Sequence, residues 1–419
     1  MSVRRRRDDR TVSSASGGGP DVPTPMMLAL ALAYAVAPLA TDMYLSALPR
    51  MMNDLGTEAT GVQLTLTTFM VGLATGQLVI GPLSDRWGRR RPMLAGTAVS
   101  ALAGVLCALA PSVEALVAAR FVQGFSGAAG IVIARAVISD RAGGSGAARS
   151  FGVLMITGGV APVVAPLVGG ALVDPAGWRG IFVVLAGIAV LMFSGVLLLV
   201  PETLPARLRR GGGLVTTFRS MGGLLSDRGY VGYTLAYGFG FGVLFSYIAA
   251  SPFVLQNVYG LSTGTYAVVF AANALGFTST SAVNRRIVGR FGPRRLLRTG
   301  LTVMVTSCAL LCGLATTGRL PLPAAAALVF VAASSLGLVA ANATALATVR
   351  APHAAGSASA LLGALQYGLG AVVSPLVGLG GESTAVPMTV AMLTSACVAF
   401  CGGVLLTRGS LNPGAIDAS

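Results

Sequence analysis

Gly81-Pro-Leu-Ser-Asp85-Arg86-Trp-Gly88-Arg89-Arg90-Arg91-Pro-Met-Leu94 separates two long apolar stretches, and its charges decide what those stretches are. The five ionic side chains from Asp85 to Arg91 cannot lie in hydrocarbon, so the segment is a short loop at a membrane surface. Four of the five are arginine, which puts that loop on the cytoplasmic face.

Working outward, apolar spans of membrane-crossing length recur near residues 25–48, 60–83, 92–110, 113–138, 148–172, 179–200, 230–251, 264–284, 294–316, 321–346, 355–379 and 386–407. The arginines confirm the alternation. Clusters at Arg4–Arg7, Arg86–Arg91, Arg207–Arg210 and Arg285–Arg298 fall on one side, whereas the other side holds only Arg50, Arg179 and Arg319. Both termini are therefore expected in the cytoplasm. Arg120 and Arg135 remain inside the fourth span.

Composition agrees. Of 419 residues 54% are hydrophobic and 10% charged, and the mean hydropathy is +0.78. Soluble domains carry about a quarter charged residues. The net charge of +15 sits in short loops, so its expected partner is anionic lipid rather than nucleic acid. All 29 basic residues are arginine. The cysteines Cys107, Cys308, Cys312, Cys397 and Cys401 lie on apolar spans, and the single histidine, His353, lies in a polar junction. No metal site, cofactor or disulfide framework is expected from that set.

The chain repeats itself. Arg290-Phe-Gly292-Pro-Arg294-Arg295 echoes Arg86-Trp-Gly88-Arg89-Arg90-Arg91 about half the chain later, with Gly289 in place of Asp85. The expected organisation is a disordered cytoplasmic tail (1–23), a six-helix bundle (24–200), a cytoplasmic connection (201–229), a second six-helix bundle (230–407) and a short tail (408–419).

The pattern Gly-x-Leu-x-Asp-Arg-x-Gly-Arg-Arg resembles the loop between helices two and three of the major facilitator superfamily. Asp42-Met-Tyr44-Leu-Ser-Ala-Leu-Pro49 looks like the first-helix signature of bicyclomycin/chloramphenicol-type drug:proton antiporters, with Ser46 in place of a proline. Arg120-Phe-Val-Gln123-Gly124 is similar to the superfamily's fourth-helix motif. Gly159-Val-Ala-Pro162-Val-Val-Ala-Pro166-Leu-Val-Gly169-Gly170 resembles the antiporter-associated motif of the fifth helix, and Pro201-Glu202-Thr-Leu204 is a further match. The resemblance implies an all-α membrane protein of twelve helices in two pseudo-symmetric bundles. It also implies proton-coupled export of a small hydrophobic antibiotic across the cytoplasmic membrane by alternating access. Uptake of a small metabolite by proton symport on the same fold is the second reading. A monomer is expected, with drug, protons and lipids as partners. Enzymatic chemistry is not, because no intramembrane acid pair or metal cluster is visible. A nucleotide-driven pump is disfavoured, since the sequence has no phosphate-binding Gly-Lys loop and no lysine.

The charges left in the bilayer carry the chemistry. Asp42 is the carboxylate inside a span, and Arg120 lies at a comparable depth in the fourth, so the two are expected to share a layer as the proton-coupling pair. Burial favours the neutral acid and a nearby cation favours the carboxylate, so a group held between them can load and release a proton. Tyr34 stands where some multidrug members carry a second acid. By resemblance, Gly81, Asp85, Arg86, Gly88, Arg89 and Arg91 form a gating loop, with Asp85 reaching the start of span eleven near Ala355-Gly-Ser357. Gly159, Pro162, Pro166, Gly169 and Gly170 are expected to pack tightly and bend, as are Gly72, Gly76, Gly124, Gly127 and Gly130. Candidate cavity residues are Tyr44, Gln123, Phe245, Tyr247, Asn273, Gln366 and Tyr367, polar or aromatic groups on apolar helices.

Overall fold

The computed structural model describes residues 22–142, 144–209, 219, 221–351, 355–379 and 383–407. Residues 1–21 of the expected first tail, the whole second tail, His353 and part of the central connection lie outside those residues, whereas Val22 is buried and Pro23 leads into the first helix. No strand occurs among the described residues. Eleven helices there are long and apolar enough to cross a membrane, and one of them, Arg149–Leu199, runs for 51 residues. At 1.5 Å per residue that helix would measure about 76 Å, against a hydrocarbon core of about 30 Å, so it holds two spans. They part at Gly177, where φ is 65° and ψ −177°, a backbone conformation that favours glycine. The chain thus crosses twelve times.

Span one is Thr24–Asp42, continued after a break by Leu48–Asp54. Span two is Ala59–Trp87, three Arg90–Ala108 and four Val113–Arg141. Spans five and six share Gly144–Leu199. Spans seven to twelve are Arg228–Phe253, Thr263–Phe291, Pro293–Thr316, Leu322–Val349, Ala355–Gly378 and Val386–Phe400. Span two packs on four as eight packs on ten, and span three packs on four as nine packs on ten. The two halves are copies of one bundle. Their shared loop shows it at the backbone: Gly88 (φ 90°) ends span two and Gly292 (φ 77°) ends span eight, both with extended ψ.

Close packing is built on missing side chains. A Cβ on Gly72 would meet Phe125 N at 2.6 Å, and one on Gly124 would strike the Phe69 carbonyl, so spans two and four touch through backbone. Gly130 meets the Ala33 carbonyl in the same way, whereas Gly127 faces nothing within 4 Å. Of the expected glycine series, Gly127 alone is not a contact, because its Cβ direction points between neighbours. Exposed leucines such as Leu102, Leu191, Leu310 and Leu376 turn outward, where lipid would cover them.

The halves meet along two seams, span two on eleven and span five on eight. Gln63 Nε2 donates to the Ala249 carbonyl at 3.0 Å, Gln256 Nε2 to the Ser46 carbonyl at 3.3 Å, and Thr278 Oγ1 to the Gly159 carbonyl at 3.0 Å. The first two lie at the arginine-poor end and the third in mid-membrane. The end opposite the arginine-rich loops is thereby sealed.

Candidate functional site

Asp42 ends the first helix. Pro38 has no N–H to give the Tyr34 carbonyl, and after Asp42 the chain passes through a single 3-10 turn, Leu45–Ala47, before helix resumes. Gly169 of span five is pressed into this break, since a Cβ there would collide with the Met43 carbonyl oxygen. The antiporter-like motif thus touches the residue after Asp42 on one side. On the other side Gly159 accepts from Thr278 and Gly170 lies against Ala267 of span eight. Pro162 and Pro166 sit between these contacts within the helix. Asp42 itself is 5% exposed, the one buried acid among the described residues, and no hydrogen bond or ion pair reaches its carboxylate there.

Arg120 is fully buried and held in a different way. Its Nη1 donates to Gln123 Oε1 at 2.7 Å, one helical turn on, and its Nε to the Thr65 carbonyl at 3.4 Å. The guanidinium carbon lies 4.0 Å from the Phe69 ring centroid, 4.5 Å from Tyr44 and 5.7 Å from Phe182. Spans one, two, four and six build this aromatic cage. Arg120 and Asp42 share the N-terminal bundle and form no ion pair among the described residues. The ring faces and the Gln123 amide supply the electron density that a carboxylate would otherwise provide. Tyr44 and Gln123, expected on the cavity wall, are both taken up in that cage. Tyr44 is buried, with its hydroxyl 3.3 Å from Thr65 Oγ1.

Two further cavity candidates also turn elsewhere. Asn273 Nδ2 donates to the Tyr247 hydroxyl at 2.8 Å, and Tyr247 stacks on Phe270 with centroids 5.5 Å apart. With Ser251, Tyr259, Val329 and Met388 they line a small void inside the C-terminal bundle. Tyr247 is two residues past Phe245, and positions two apart on a helix point to different faces. Phe245 takes the opposite direction, toward Tyr367 at 6.1 Å and the seam with span two, where Gly370 meets both Phe245 and Met70.

The partly exposed polar face between the halves is made of other residues. Arg135 Nη2 donates to the Tyr34 hydroxyl at 2.8 Å, and the Tyr237 hydroxyl donates to Gln366 Oε1 at 2.6 Å. Tyr237 packs on Phe241 at 5.0 Å. Tyr367 and Tyr237 both lie within electrostatic reach of the Arg135 guanidinium. Gln366, Tyr367 and Phe245 were legible candidates. Arg135 and Tyr34 were not assigned a role, although a second arginine inside span four was a signal that could have found them.

At the arginine-rich end, Arg89 is the hub of the 81–91 loop. It donates from Nη1 to Asp85 Oδ1 (2.5 Å) and Ser84 Oγ (2.8 Å), and from Nε to Asp140 Oδ2 (2.9 Å). Thr203 Oγ1 also donates to Asp140, at 3.0 Å. The Glu202 carboxylate accepts from the backbone N–H groups of Arg89 (2.8 Å) and Arg90 (3.4 Å), capping span three where its dipole is positive. Partial burial works against that charge. The N–H groups of Leu204, Arg89 and Arg90, with the Arg209 guanidinium, nevertheless hold the Glu202 carboxyl below its ordinary 4.5. Arg86 and Arg91 are exposed, and Gly81 lies 3.5 Å, by its would-be Cβ, from Val132. Asp85 turns to Arg89, and no hydrogen bond joins it to span eleven among the described residues.

The family model of the Major Facilitator Superfamily matches residues 30–375. The chain belongs to the major facilitator superfamily. An uncharacterized MFS-type transporter, YdgK, of Bacillus subtilis (strain 168) is 41% identical over 376 residues, 89% of this chain and 93% of that protein. A bicyclomycin resistance protein homolog of Haemophilus influenzae is 32% identical over 374 residues, again 89% and 93% of the two chains. Among solved structures, a bacterial homolog of the human lysosomal transporter Spinster, in an inward-facing and occupied conformation, superposes with a TM-score of 0.72. It covers 91% of this chain and 96% of its own at 18% identity, a likeness of fold. As a major facilitator, this protein is a multi-pass membrane transporter and not an enzyme, and the resemblance drawn from its motifs is borne out at the level of family.

Proposed function

We propose that this major facilitator exports a small, largely apolar antibiotic-type compound in exchange for protons, with Asp42 as the proton carrier. The single observation that carries this reading is Asp42 itself, a buried carboxyl without a counter-charge among the described residues, at a helix break that span five grips through Gly169. A carboxyl free of any fixed ion pair gains and loses its proton without breaking one. Span five also packs on span eight of the opposite half, so a change at Asp42 is mechanically connected to the seam that must open. The bicyclomycin resistance protein homolog supports drug export over other cargo. Arg120 and its aromatic cage keep the outer part of the N-terminal bundle rigid around that site. We assign the arginine-rich end, with both termini, to the cytoplasm of a bacterial inner membrane, which makes the described state one that is sealed outward.

The test is proton release from energised everted vesicles on adding a panel of antibiotics, in wild type and Asp42→Asn. A substrate-dependent signal that disappears in the variant is expected. A signal that survives would move the proton site away from Asp42. Accumulation of a compound by intact cells would replace export by uptake.

A further inference from the structure

Arg135 is the second cation of span four, six residues before Arg141 and so about 9 Å from the arginine-rich end. Both arginines lie over a tyrosine ring, and exposure sets them apart. It is partly exposed, whereas Arg120 is sealed. Among the described residues it has no carboxylate partner and its one hydrogen bond goes to the Tyr34 hydroxyl, leaving the Nε and Nη1 edge without a partner there. The Tyr34 ring lies 5.3 Å from the guanidinium carbon. Tyr237 and Tyr367, from the other half, stand within electrostatic reach. Gln366 fixes the Tyr237 hydroxyl, and Phe241 packs beside it. Asp42 is eight residues beyond Tyr34, about 12 Å further along span one, and makes no ion pair with this arginine.

A guanidinium inside a membrane with open donors and no acid is costly unless something neutralises it. Its free edge is a planar fork that matches two oxygens of one group. The Tyr34 and Tyr367 phenols add hydroxyl donors, the Tyr237 hydroxyl being committed to Gln366, and the rings add a flat apolar surface. A cationic ligand would be repelled. We propose that the Arg135–Tyr34–Tyr237–Tyr367 cluster is the substrate site, and that it takes a small aromatic or apolar molecule bearing an oxyanion, a carboxylate being the simplest. This rests on the export reading only in calling the ligand a substrate.

The test is equilibrium binding to purified protein in phosphatidylcholine nanodiscs, using the matched probes 1-naphthoate, 1-naphthamide and 1-naphthylmethylammonium. Wild type should bind naphthoate at least tenfold more tightly than the amide and the ammonium. Arg135→Gln should bring that ratio close to one while leaving the amide unchanged, and Arg135→Lys should retain part of it. Tyr34→Phe serves if Arg135→Gln does not fold, and should lower the preference severalfold. If phosphatidylglycerol discs abolish naphthoate binding in wild type, the oxyanion is a lipid headgroup and the site stands. Equal binding of the three probes, no binding of any, or a preference that survives Arg135→Gln overturns the proposal. Binding needs neither protons nor transport, so loss of the Asp42-dependent vesicle signal and loss of this preference are separate failures.

Discussion

At the scale of single residues, span four carries two arginines with opposite fates. Arg120 is caged by three rings and an amide, and Arg135 is left open between the halves. A lysine at 120 would keep the charge but lose the planar face that stacks on Phe69 and Tyr44. Arg120→Lys should therefore cost about 1–2 kcal/mol, read as a lower thermal unfolding midpoint in detergent. An unchanged midpoint would show that the cage contributes no stability. Sequence reading reached both arginines but could not separate them. Depth along a helix follows from counting residues, whereas the rings around Arg120 come from spans one, two and six and are brought there only by packing. The same limit explains Tyr247 and Asn273, which are polar residues at plausible depth on the wrong face of their helices.

At the scale of elements, glycine spacing announced close packing and was right at Gly124 and Gly130, where a carbonyl of another span occupies the space of a Cβ. Gly127 lies in the same series with open space around it. Gly127→Ala should raise stability by about 0.5–1 kcal/mol through helix propensity, and Gly124→Ala should lower it, both measured as unfolding midpoints. The reverse order would refute the packing described for spans two and four. A second element-scale prediction concerns the cap on span three. Glu202 is held below 4.5, so its contribution is complete above that pH and disappears as pH falls through the lower folded value. The unfolding midpoint should drop between about pH 5 and pH 3, and Glu202→Gln should drop less over that range. Parallel curves would remove the cap from the account. The Pro201-Glu202-Thr-Leu204 run was visible in the sequence as a family likeness. Its partners, the first N–H groups of a helix more than a hundred residues earlier, were not.

At the scale of the molecule, alternating access requires the sealed end to open. A Cβ on Gly378 would lie 3.4 Å from Thr60 Cα, across the seam of spans two and eleven. Thr60→Cys with Gly378→Cys should form a disulfide under mild oxidation and arrest transport, and a reductant should restore it. Transport that continues in the cross-linked protein would mean that this end need not part. Twelve crossings, two similar halves and the loop that joins spans two and three were all legible, because hydropathy, arginine placement and a repeated motif are properties of the chain itself. The choice of which end is closed was not, since both states share one sequence and differ by contacts such as Gln63 with Ala249.

Glu202 ties the end of span six to span three, and Asp227 at the start of span seven ties to Arg350 at the end of span ten, at 3.0 Å. Each bundle fastens its own loose end. A scission between residues 210 and 218 would sever neither clasp, so fragments 1–213 and 214–419 made from two separate messages should find each other in the membrane and transport as a pair. Such pairing would make the single polypeptide a fusion of two self-sufficient parts, one that guarantees equal numbers of each and leaves their architecture to the helices.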